Sequence, residues 1–184
     1  MTLYATVKKH AMQIKLFISL LFIATSLCAQ VKNPYLNLKF DKVVMYDFAE
    51  GEEREGVIFN KDGKLVQTIV KQVTLDKETI KKLDRRIGLK ESYGYSFAMC
   101  FNPHLGFVYF LKDKIVAQVT VCFGCNILES TLDIPAQKQG RQGTGKDVYY
   151  TLSGLNKSFR KFLNQLVIKN GFSNQIQPGS GFDE

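Results

Sequence analysis

The sequence predicts an α+β domain: an antiparallel sheet built from two hairpins plus flanking strands, with two helices, at about 76–87 and 154–169, packed on one face. Three observations carry this. β-rich runs come in neighbouring pairs joined by tight turns, two segments space their apolar residues at the helical period between cap and stop signals, and the strand links are too short for parallel crossovers.

Residues 36–49 alternate loosely and are rich in Val, Phe and Tyr, so they read as a strand ending at the acidic turn 50–56. The acids of that turn lack the alternating spacing of a calcium loop and read as solvated charge. Residues 56–61 and 64–70 flank Asp62-Gly63, where glycine accepts the positive φ of a hairpin turn. Asp76 caps a helix to about Ile87, with Ile80, Leu83 and Ile87 on one stripe and Gly88 as its stop.

The second hairpin joins 107–111 to 115–121 across Lys112-Asp113-Lys114. Ile115, Ala117, Val119 and Val121 face a core, with Gln118 and Thr120 opposite. The hairpins share a Phe, Lys-Asp, Val-rich order, which reads as common hairpin chemistry rather than a repeat. Residues 135–147, rich in Gly, Gln and Lys without periodicity, read as a mobile loop. Ser153 is the expected cap of the last helix, Leu155, Phe159, Phe162, Leu163, Leu166 and Val167 its buried stripe, and Gly171 its end; residues 175–184 read as a frayed tail.

The N-terminus carries a different pattern. Lys15, the apolar run 16–24 and then Ala29 before Gln30 match a cleavable signal peptide over residues 1–29, and Met12 is an alternative start. The apolar run is shorter than the ~20 residues that span a bilayer, so no transmembrane span is expected after cleavage. Cys28 would be the lipid-accepting residue of a lipoprotein signal, but Leu27 stands where a small residue belongs. Removing 29 of 184 residues leaves 155, a single domain over 30–174 followed by the tail; Lys8, Lys9 and Lys15 go with the leader, lowering the net charge from +8 to +5.

An exported, mildly basic chain without basic-aromatic runs is not expected to bind nucleic acid. The stretch 140–147 nearly spells a phosphate-binding loop, but Asp147 replaces the required hydroxyl and strand-like residues follow, so no nucleotide is expected.

Cys100, Cys122 and Cys125 survive cleavage together with His104. Centring the hairpin turn between Lys112 and Asp113 sets Cys100 opposite Cys125 and His104 opposite Val121, whereas centring it on Asp113 sets His104 opposite Cys122. Either register gathers four chemistry-bearing side chains at one end. Four readings compete there: a disulfide from Cys100 to Cys122 or Cys125; buried thiols in a core; zinc held by Cys100, His104, Cys122 and Cys125; and a redox pair at Cys122-Phe123-Gly124-Cys125, which lacks the usual helix start. Asn126 after Cys125 excludes covalent haem. A Cys122–His104 hydrolase would need a third, orienting group that no motif supplies.

Tyr93-Gly94, Cys100-Phe101-Asn102-Pro103-His104 and Val121-Cys122-Phe123-Gly124-Cys125 resemble an uncharacterised group of small secreted or lipid-anchored bacterial proteins. The resemblance carries no activity over; it implies that the cysteine cluster matters. The expectation is an exported, periplasmic or extracellular cell-envelope protein with an unidentified envelope partner. It would be a non-enzymatic binding or structural module with a disulfide or zinc at its hairpin end. The alternative is a thiol-dependent redox protein or hydrolase using Cys122 and Cys125 with His104.

Overall fold

The computed structural model describes residues 33–49, 57–94, 101–142, 144 and 149–176. The signal segment, the acidic turn 50–56, Cys100 and the end of the tail lie outside them.

A five-stranded sheet forms the centre. It uses β1 (Lys42–Phe48), β2 (Ile69–Thr74), β4 (Leu105–Leu111), β5 (Lys114–Cys122) and β6 (Ile127–Ser130), in the order β2-β1-β4-β5-β6. All neighbours are antiparallel. Helices α1 (Lys77–Gly88) and α2 (Lys157–Lys169) bury Ile80, Leu83 and Ile87, and Phe159, Leu163 and Val167, in one core with Met45, Phe107, Val119 and Val121 of the sheet. The α+β class therefore holds, with both helices on one face. Asp76 caps α1 as expected, its Oδ1 accepting Thr79 N–H at 2.8 Å.

Four elements differ from the sequence reading, each for a local reason. Asn33 and Pro34 begin a short 3-10 turn, Pro34–Asn37, that buries Tyr35, so the first strand starts only at Lys42. The hairpin at Asp62-Gly63 shrinks to a single bridge, Phe59 to Leu65, and the β-rich run moves on to β2, which pairs with β1.

The polar stretch after Pro135 is not a free loop: β7 (Lys138–Gln142) pairs with β8 (Tyr149–Leu152). Gly154-Leu155 form β9 against β3 (Tyr93–Gly94), which displaces the cap of α2 from Ser153 to Asn156, whose Oδ1 accepts Phe159 N–H at 2.7 Å.

The second face of the sheet is also covered. Val44, Tyr46, Phe48, Val108 and Phe110 pack with Ile58 and Phe59 from the loop before β2. A β-carbon on Gly106 would stand 2.5 Å from Ile58 Cδ1, so any larger residue there would have to push the end of that buried side chain aside. At the far end, buried Asp47 of β1 accepts from Ser173 N–H (2.7 Å), Ser173 Oγ (3.1 Å) and Asn174 Nδ2 (3.1 Å). Order thus extends past residue 174, and Ile176 N–H reaches Asn164 Oδ1 at 2.8 Å.

Candidate functional site

The β4–β5 hairpin positions the site. Lys112 and Asp113 both take positive φ, 49° and 61°, which gives the two-residue turn its matching twist. The first register expected from sequence runs from that turn to Phe110 opposite Ile115. Val116 then bulges, and the second register holds from Tyr109 opposite Ala117 to Leu105 opposite Val121. Backbone pairing continues one step further, with His104 N–H donating to Val121 O at 2.8 Å. His104 is thereby carried to the end of β5, beside Cys122.

There the chain reverses into β6 through residues 123–126, with Asn126 at φ 56°. The sulfurs of Cys122 and Cys125 lie at bonding distance, with their Cα atoms 5.2 Å apart. Cys125 N–H points to Cys122 Sγ at 3.0 Å, and His104 Nδ1 accepts Phe123 N–H at 3.2 Å. The pair in contact is thus the one that the redox reading named, while the disulfide reading had drawn Cys100 into the bond. Cys100 lies outside the described residues.

Two residues outside the cysteine and histidine pattern hold the site together. Arg160, in the first turn of α2 and 1% exposed, donates through Nη1 to Phe123 O (2.9 Å) and Asn126 Oδ1 (3.0 Å). Asn126 in turn donates through Nδ2 to Leu155 O and accepts Leu155 N–H, each at 2.9 Å, tying the loop to β9. A buried guanidinium is tolerated only when its donors are used, so these bonds fix the loop as much as they satisfy the charge. The signal was present in the sequence: residue 160 falls on the buried stripe with Leu163 and Val167, where a charge is out of place.

Chemically the loop is closed. Cys122 is 1% and Cys125 5% exposed, and the pair sits on a strand-to-strand turn, not at a helix start that would favour thiolate. Among the described residues, no three His, Cys, Asp or Glu side chains are grouped to hold a metal ion. Of the four zinc donors expected from sequence, Cys100 is not described.

A second buried polar cluster lies between α1 and the sheet. Asp84 accepts the Tyr109 hydroxyl at 2.7 Å, and burial pushes its carboxyl up to about 6. The Tyr35 ring packs tilted against Tyr109, ring centres 5.0 Å apart, and its hydroxyl shares a 2.6 Å hydrogen bond with Ser130. Burial holds the Tyr109 hydroxyl well above the ordinary tyrosine value.

Of the phosphate-loop-like stretch, 140–142 belongs to β7, and a strand rather than a helix follows at 149. Among the described residues no helix is long and apolar enough to cross a membrane. No family model, curated protein or solved structure matches the chain.

Proposed function

We propose that this chain is an exported cell-envelope protein acting as a non-enzymatic binding module, in which a Cys122–Cys125 bond fixes a rigid loop at one end of the sheet. The observation that carries the reading is the contact of two buried sulfurs in a loop whose backbone is also held by His104, Asn126 and Arg160. A thiol enzyme needs a sulfur that a substrate can reach, and here burial opposes it. Joining the two sulfurs also removes two of the four donors of the zinc reading. The ring is short, so its chain-entropy contribution is only about 2 kcal/mol and its main effect is to set the loop's conformation. Export rests on the charged start, short apolar centre and Ala29-Gln30 junction of the first 30 residues.

Mass spectrometry tests both parts on full-length protein expressed in a bacterium. The expected mass begins at Gln30; one that retains the leader overturns export. Alkylation in denaturant without reductant should label Cys100 alone, and all three remaining cysteines after reduction. A label on Cys122 or Cys125 before reduction, or rapid opening of the pair by mild reductant in the folded protein, overturns the staple and favours thiol chemistry.

A further inference from the structure

We infer that the cleft between the C-terminal half of α1 and the first turns of α2 binds a small organic anion: an oxyanion ester, phosphate in class, carried on a flat apolar body. The inference rests on the binding-module reading and names its ligand. The cleft is open to solvent on one side and has a volume of about 420 Å³, within the range of small-molecule sites, and its walls include Lys82, Arg85, Arg86, Leu89, Ser158 and Phe162. Lys82, Arg85 and Arg86 stand at helical spacings of three and four, so they share one face of α1. Glu91 is the one carboxylate among the lining residues, which leaves positive charge in excess.

Arg86 is held in place without being neutralised. Its guanidinium carbon lies 5.0 Å from the Phe162 ring centre, and Nη1 donates to Ser158 Oγ at 3.1 Å. Among the described residues Lys82 is tied only to Glu78, by a 2.8 Å pair whose side chains are 61% and 78% exposed. Such a pair is worth little, and an incoming anion can displace it. Arg85 is exposed beside them.

Arginines in a last helical turn also answer the negative end of the helix dipole. That role does not require a cavity, nor an aromatic ring under one guanidinium. Leu89, 37% exposed, and half-buried Phe162 supply an apolar surface next to the charge. A guanidinium fork beside a ring suits a planar body bearing an oxyanion.

The test is calorimetric titration of the full-length protein with phenyl phosphate at low ionic strength, with inorganic phosphate and benzyl alcohol as companions. Saturable binding of phenyl phosphate at or below about 1 mM is expected, inorganic phosphate about tenfold weaker, and no saturable binding of benzyl alcohol. The double variant Lys82→Gln/Arg85→Gln changes only exposed side chains; it should keep the wild-type melting temperature and lose about tenfold in affinity. Arg86→Gln should lose at least as much.

Absence of saturable phenyl phosphate binding, a double variant that binds like wild type, or equal affinity for inorganic phosphate overturns the inference. Because neither Cys122 nor Cys125 lines the cleft, the two proposals fail separately. A lost titration with the alkylation pattern intact sinks only the ligand, and the converse sinks only the staple.

Discussion

Two reversals of the chain, at 60–64 and at 111–114, close equally well and support very different amounts of strand. At the first, Asn60 organises everything: its Oδ1 accepts Asp62 N–H (3.0 Å) and Lys64 N–H (2.9 Å), and its own N–H reaches Lys64 O (2.8 Å). Pairing then stops after one bridge, with Val57 and Leu65 each 42% exposed. At the second, neither turn residue is glycine, yet the ladder runs the length of β4, and Phe107, Val108, Tyr109, Val119 and Val121 are fully buried. The tip is steadied from β1 and the residue before it: Lys42 Nζ reaches Asp113 Oδ1 at 2.8 Å, and Asp41 Oδ2 accepts Lys112 N–H at 2.6 Å. Turn chemistry thus sets where a chain reverses, and burial on the flanking faces sets how far it stays paired.

The comparison breaks most easily in the ladder. Phe107→Ala should cost about 3–5 kcal/mol in urea unfolding, whereas Leu65→Ala should cost under about 0.5 kcal/mol. Equal costs would mean that both hairpins are structural.

A middle-sized effect comes through Tyr109, whose partner Asp84 holds its proton up to about 6 when folded. Between about pH 4 and pH 6 the folded chain keeps a proton that the unfolded chain has released, so this stability is fully present below about 4 and lost as pH rises through 6. Wild type should therefore lose on the order of 1–2 kcal/mol relative to Asp84→Asn across that window, and parallel pH curves for the two would refute it. The smallest effect is at the tip. Replacing Lys112-Asp113 by Asn-Gly suits two positive φ values and should stabilise by about 0.5–1 kcal/mol, less whatever the Lys42 pair contributes. A loss would show that the Lys42 contact to Asp113 outweighs backbone preference.

Much of this was legible in the residues. Asp76 with Ile80, Leu83 and Ile87 specified α1, and the alternation from Ala117 to Val121 specified the core face of β5. One of the two hairpin registers open from sequence set His104 opposite Cys122, and the bulge at Val116, which no local pattern marks, selects it. What escaped were features decided by distant partners. Ser153 and Asn156 are both competent caps, and only the pairing of β9 with β3 selects the second. β7 has no alternation to betray it, because β8 supplies its order. Arg160 belongs to the cysteine loop through contacts 34 and 37 residues away along the chain, beyond any local pattern.

The knot at Asp47 has a consequence for how the molecule is made. A carboxylate in the first strand receives its three hydrogen-bond donors from residues 173 and 174, separated from it by 126 and 127 positions. A chain emerging N-terminus first cannot satisfy this acid until residues 173 and 174 have been delivered, well after the last strand of the sheet at Ser130, and a product cut short after Asn170 would keep a desolvated acid with none of these three donors. The strap at residues 173 and 174 thus makes the stability of the first strand depend on a segment that is synthesised more than a hundred residues later.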